Sequence, residues 1–169
     1  MYKAYKFRMY PSLENKTKIN QNIGSSLFVF NKSLEMKDEI YKEQGKNWSL
    51  KDMKHNLLAL QSEYEWLKMT DSCALRTSLE DLDDAYTRFF KHQGNHPKFK
   101  NKHHKTSYRT NCIRSSYKGA NYSNIKVDLK RKVIKLPKLD EIKIRGYRNL
   151  KELPGRIMNA TVTRENNRY

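Results

Sequence analysis

The sequence predicts an α+β fold in which a small, partly closed β-barrel is interrupted after its first strand by a lobe of four helices. Three observations point there. Tyr5, Phe7 and Met9 alternate with Ala4, Lys6 and Arg8, the pattern of a half-buried strand, which Pro11 closes. Residues 12–91 then carry helical spacing, and the residues beyond 106 return to short alternating runs punctuated by Pro137, Gly146, Pro154 and Gly155. A lone strand is not stable by itself. The first strand must therefore pair with the late ones, which makes the helices an insertion into a β-domain, and a small barrel is the simplest sheet of that kind.

Each element has its own signal. Ser12 caps a first helix, with Glu14 placed against the helix dipole, and Gly24-Ser25-Ser26 is expected to break it. Leu27, Phe30, Leu34 and Tyr41 share a face of the second helix, which Gly45 ends. Ser49 with Asp52 three residues on makes a capping box for the third, with Met53, Leu57 and Leu60 inward. Asp71 or Ser72 caps the fourth, whose Leu75, Leu79, Leu82, Tyr86 and Phe89 form a near-heptad stripe of bundle core. His92 to Thr106 has Gly94, Pro97 and no periodicity, and reads as a loop. Beyond it Ile125, Val127 and Leu129 alternate, as do Val133 with Lys135 and Ile142 with Ile144. A last run, Arg156 to Arg164, sets Ile157, Asn159, Thr161 and Thr163 against Met158, Ala160 and Val162. The expected division is 1–11 for the first strand, 12–91 for the helical lobe, and 92–169 for a basic linker and the remaining strands.

Charge is distributed unevenly. The 169 residues carry a formal charge of +17, yet residues 1–84 hold 13 basic and 13 acidic side chains and sum to zero. From Ala85 to Val127 there is no Asp or Glu, while ten Lys or Arg and four of the five His lie there. Residues 128–169 add a surplus of 7. Aromatic side chains (Phe89, Phe90, Phe99, Tyr108, Tyr117, Tyr122) are interleaved with the acid-free stretch. Cations neutralise phosphates and release counterions, and flat rings stack on bases, so this stretch points to nucleic acid. A merely solvated face normally intersperses acids, because self-repulsion costs stability.

Other classes fare worse. The acids Glu80, Asp81, Asp83 and Asp84 wrap around a helix rather than converge as a two-metal nuclease requires. They read as a solvated, salt-bridging face. No Ser-His-Asp or Cys-His arrangement has a recognisable context, and all six glycines are isolated, so no phosphate loop is present. His92 and His96 have the separation of a helix-borne metal pair, but Gly94 and Pro97 argue against a helix there. Cys73 and Cys112 fit free thiols in a reducing compartment. With no apolar run long enough to span a bilayer, the expectation is a cytoplasmic protein without a membrane partner. The helices flanking Gly24 have the shape of a helix-turn-helix with Asn31 and Lys32 as recognition residues, but the region is charge-neutral and a plain hairpin of packed helices is the favoured reading.

Eight stretches in series resemble one family. They are KAYKFRMYP at Lys3–Pro11, FVFNKSL at Phe28–Leu34, EWLK at Glu65–Lys68, ALRTSLEDLDDAYTRFF at Ala74–Phe90, HPKFKNK at His96–Lys102, SYRTN at Ser107–Asn111, IKLPKL at Ile134–Leu139 and LPGRIMNATVTRE at Leu153–Glu165. Together they resemble TnpB, the OrfB-type protein of insertion-sequence transposons, over essentially the whole chain and in the family's order. The resemblance implies a β-barrel wedge domain, OB-like, whose first strand precedes a helical recognition lobe. It implies RNA-guided cleavage of DNA beside a short transposon-adjacent motif by a RuvC-like domain that follows. The partners it implies are guide RNA and double-stranded DNA, with the RuvC half as a further partner. The acidic RuvC triad lies beyond the last strand matched here, so no catalytic residue is carried over. The chain is expected to lack nuclease activity alone and to need no cofactor, Mg²⁺ being expected only with RuvC. Phe30 departs from the family's usual Tyr, and Asn47-Trp48 is a second departure.

Site residues follow from both readings. Lys98, Lys100, Lys102, Lys105, Arg109, Arg114 and Lys118 of the basic stretch are expected to bear phosphate contacts. Tyr108 or Tyr117 is a candidate stacking ring, with a core role the alternative for Tyr108. The resemblance implies that the adjacent motif is read from Leu50, Lys54, Ser72, Arg76 and Asn111. Arg76 can fork onto a guanine edge, or pair with Glu80 four residues on. A stand-alone DNA-binding repressor built on the same half is the alternative function.

Overall fold

The computed structural model describes residues 2–103, 106–117, 120–146, 155–166 and 168–169, with backbone alone for 114–117 and 120–122. The chain is α+β. Strand β1 (Phe7–Tyr10) leads into helices α1 (Leu13–Gln44) and α2 (Leu50–Glu63), a 3-10 turn (Glu65–Met69) and helix α3 (Ser72–Phe90). Seven short strands follow: β2 (Ser107–Asn111), β3 (Arg114–Tyr117), β4 (Ala120–Ser123), β5 (Lys126–Asp128), β6 (Val133–Lys135), β7 (Ile142–Gly146) and β8 (Asn159–Thr163).

The expected break at Gly24-Ser25-Ser26 does not occur. Residues 13–44 are one helix, capped by the Ser12 hydroxyl on the Asn15 N–H at 3.2 Å and ended by Gly45 at φ 64. Three α-helices among the described residues therefore stand where four were expected, and the turn of a helix-turn-helix is absent between Ile23 and Leu27. The reason is packing. Ser25 and Ser26 are buried, and Ser25 Oγ meets Thr70 Oγ1 at 2.7 Å. Small side chains here let the chain before α3 approach α1; they do not end α1. At 32 residues α1 is about 48 Å long. It joins two cores. Ile19 and Ile23 lie with Met9, Tyr108, Ile125, Ile134, Leu136, Ile142, Ile144 and Val162. Val29, Phe30 and Leu34 lie with Leu57, Leu67, Leu75, Leu79, Leu82 and Tyr86. Tyr41, expected inward, is exposed beyond the second core.

The remaining helices follow their signals. Ser49 and Asp52 form the expected capping box. Asp71 caps α3 by accepting the Cys73 N–H at 2.9 Å. Phe89, expected in the stripe, is only partly buried.

The first strand pairs with a late one, as the insertion requires: β1 runs antiparallel to β7 with Met9 opposite Ile144. The sheet order is β1-β7-β6-β5, and β2-β8 and β3-β4 form separate two-stranded sheets. No closed barrel is present among the described residues. The strands are short, and β2 pairs with β8 rather than with the four-stranded sheet. Tyr108 and Val162 of that pair share one core with Met9, Ile134, Ile142 and Ile144 of the sheet and with Ile19 and Ile23 of α1. The helix is tied to the β-domain at its N-terminal half, where Asn15 accepts the Asp140 N–H at 3.2 Å and Asn20 accepts from Arg164 at 2.7 Å.

Candidate nucleic-acid interface

The residues singled out for reading DNA come from three elements that meet. Leu50 and Lys54 lie on the first turns of α2, Ser72 and Arg76 on the first turns of α3, and Asn111 at the end of β2. Leu50 is partly buried against the helical core. Lys54, Ser72 and Arg76 line an open cleft of about 890 Å³ together with Trp48, Lys51 and His55. Asn111 is tied to the same place through Glu80. Lys54 Nζ lies 2.8 Å from Glu80 Oε1, and Asn111 Nδ2 donates to Glu80 Oε2 at 3.3 Å. Arg76 does not pair with Glu80; it is exposed, and among the described residues no ion pair involves it. An exposed guanidinium at a helix start beside Lys51, Lys54 and His55 is a cationic mouth suited to phosphate or a base edge.

The HPKFK loop is held at two points. Asn31 of α1 clamps Lys100 reciprocally: its Nδ2 donates to the Lys100 carbonyl at 2.7 Å and its Oδ1 accepts the Lys100 N–H at 2.9 Å. The Lys100 ammonium sits 3.7 Å from the centre of the Phe30 ring, and burial pushes its pKa down. At the other point His96 stands edge-on to Tyr86 and Phe89, with Nε2 3.5 Å from Asp38. Between these anchors Lys98 and Phe99 are exposed, Phe99 by 65%. Asn31 is thus a loop clamp rather than a recognition residue, and Lys32 pairs with Glu35 at 2.8 Å. No sequence signal marked the clamp, because an Asn in a helix reads as surface until its distant partner is known.

The expected phosphate ligands separate by environment. Lys98 and Lys102 are exposed. Lys100 is turned onto Phe30, where a phosphate would have to displace the ring. Arg109 is bound to Asp81 at 2.8 Å, with roughly a third of each side chain exposed. Tyr108 is 2% exposed, and burial pushes its phenol pKa up. Stacking on a base is not open to it in this structure; its ring fills the β-core. Lys105 and Lys118 and the side chains of Arg114, Tyr117 and Tyr122 lie outside the described residues. Among the described residues, no three His, Cys, Asp or Glu side chains gather as a metal site. No helix among them is long and apolar enough to cross a membrane.

The chain is similar to known proteins over most of its length. A family model of the OrfB transposon-protein type, described as a helix-turn-helix domain, matches residues 1–46. The "Putative RNA-guided DNA endonuclease InsQ" of Escherichia coli (strain K12) is 28% identical over 162 residues, 95% of this chain and 37% of InsQ. The virulence protein VsdF of Salmonella dublin is 35% identical over 117 residues, 62% of this chain and 98% of VsdF. The chain belongs to the OrfB-type, TnpB-like family. It spans little more than a third of InsQ and nearly all of VsdF. In this family member the helix-turn-helix match falls on β1 and the continuous helix α1.

Proposed function

We propose that this chain is the nucleic-acid-binding half of a TnpB-like RNA-guided DNA endonuclease. Its β-domain acts as the wedge and its helices as the recognition lobe, together holding guide RNA and double-stranded DNA that carries a transposon-adjacent motif. The observation that carries the reading is the α2–α3 cleft. Lys54, Ser72 and Arg76 line it, and Asn111 joins them through Glu80, so four motif-reading positions from three elements converge. Exposed Lys98 and Lys102 of the HPKFK loop supply further phosphate contacts. Cleavage is assigned to a RuvC half, with its Mg²⁺, and not to this chain; the setting is the cytoplasm. The test is sequencing of RNA that co-purifies with the full chain, followed by selection of the preferred motif from a randomised duplex library. Enrichment of one structured RNA and one short motif supports the reading. Mg²⁺-dependent cleavage by the chain alone, abolished by one carboxylate change, would overturn it.

The match of residues 1–46 to a helix-turn-helix family model favours a second reading, a stand-alone duplex-binding repressor. Chain stripped of nucleic acid and tested on motif duplex separates the two: the repressor binds specifically without RNA, and the endonuclease half does not.

A further inference from the structure

The four-stranded sheet has two unlike faces. Met9, Ile134, Ile142 and Ile144 point into the core beside Ile19 and Ile23 of α1. Successive residues of a strand face opposite ways, so Arg8, Tyr10, Lys126, Lys135, Lys143 and Arg145 share the other face. The register sets like charges directly against each other: Arg8 stands opposite Arg145, and Lys126 opposite Lys135. Tyr10 stands opposite Lys143. Like charges in facing positions destabilise a sheet. Among the described residues no ion pair involves any of these five cations. The acid on that face, Asp128, stands opposite Val133 at one corner and accepts the Arg131 N–H at 2.9 Å. The Arg8 Nε is buried with no hydrogen-bond acceptor, and its guanidinium lies 5.9 Å from the centre of the Tyr10 ring.

Lysines on edge strands guard against unwanted pairing. That explains Lys126 on β5, but not Lys135, Lys143 and Arg145, which lie on the interior strands β6 and β7. We infer that the solvent face of this sheet is a second binding surface, distinct from the α2–α3 cleft, that takes the phosphate backbone of a single nucleic-acid strand across Arg8, Lys143, Arg145, Lys135 and Lys126, with Tyr10 as a stacking ring at its margin. Open sheets with cations and an exposed aromatic ring hold single strands, whose unpaired bases lie flat on them. A duplex is read by an element that enters a groove, and this face has none. The inference rests on the proposal that the chain binds nucleic acid, but not on motif reading by the cleft.

The test uses full chain freed of nucleic acid and fluorescence anisotropy with short labelled oligouridylate, oligothymidylate and a duplex, across a salt series. Lys143→Gln with Arg145→Gln is one variant, Lys126→Gln with Lys135→Gln a second, and Lys46→Gln, an exposed cation beyond the end of α1, the control. Each double variant is expected to weaken single-strand binding about tenfold and to flatten the log–log salt dependence by about 1.4, for two lost contacts at about 0.7 each. Their unfolding midpoints stay equal or rise, because facing like charges are removed. Lys46→Gln leaves single-strand binding unchanged. The RNA and DNA probes show whether the strand's sugar matters. Double variants that bind both strands within about twofold of the parent and with the same slope would overturn the inference while leaving the cleft reading intact. So would a parent chain that holds duplex, or phosphatidylserine vesicles, but no single strand.

Discussion

Lys54 on α2 and Glu80 on α3 are joined at 2.8 Å, at the mouth of the cleft that Arg76 also lines. Glu80 thereby holds one cation and, through its second oxygen, Asn111. A carboxylate in such a place restrains cations that would otherwise meet any phosphate. Glu80→Gln keeps the shape and removes the charge. Non-specific duplex affinity is expected to rise, with a salt slope steeper by about 0.9 for one added phosphate contact. The margin between motif and non-motif duplex falls. Stability changes by less than about 1 kcal/mol, since the pair is part-exposed. Equal slopes for parent and variant would show that Lys54 meets no phosphate.

Gly24 lies inside α1, exposed, with open space where a Cβ would stand. Gly24→Ala is therefore expected to stabilise the chain by about 0.5–1 kcal/mol, as an interior helical glycine replaced by alanine does. Urea unfolding measures it. A turn at this position would give no gain, or a loss.

Asp71 is buried, caps α3, and donates its own backbone N–H to Asn22 Oδ1 at 3.1 Å. Burial, opposed in part by the Cys73 N–H, pushes its carboxyl pKa above 3.8. The folded chain thus holds this proton more tightly than the unfolded one. The group's contribution is fully favourable below the unfolded pKa and is lost as pH rises through the folded value. At neutral pH the buried charge costs stability. Asp71→Asn keeps a capping oxygen without the charge, and is expected to match or exceed the parent at about pH 7 and to lose that advantage toward about pH 4. Asp71→Ala loses the cap and about 1–2 kcal/mol. The pair of variants, unfolded in urea at both pH values, checks the sign.

The Asn31–Lys100 clamp makes two hydrogen bonds. Asn31→Ala is expected to cost about 1–2 kcal/mol and to speed amide exchange at Lys100 and its neighbours, while exchange in α2 is unchanged. Unaltered exchange at Lys100 would show that the ring anchors at His96 suffice to hold the loop.

Local signals in the sequence were read correctly where a neighbour supplied the chemistry. The Ser49–Asp52 box, the Asp71 cap and the alternation of Ile142 with Ile144 are all present. Pairing of the first strand with a late one followed from the instability of a lone strand, without knowing which partner. What local signals left open depended on distant contacts. Gly24-Ser25-Ser26 has the composition of a turn, and only Thr70 against Ser25 shows that it is a packing face. Lys100 and Arg109 have the composition of phosphate ligands, and only Phe30 and Asp81 show how they are held. Tyr108 alternates correctly for a strand, but which face is covered depended on β8 and α1. The cleft positions came from family resemblance. Periodicity placed Lys54, Ser72 and Arg76 near helix starts and could not bring the two helices together.

The central claim is that this chain binds nucleic acid through exposed cations. The most direct measurement is the affinity of the full chain, stripped of nucleic acid, for RNA and duplex DNA as salt is raised. The account predicts a linear fall of log affinity with log salt, about 0.9 per duplex phosphate neutralised and about 0.7 per single-strand phosphate. A slope near zero, or no binding at low salt, would contradict it.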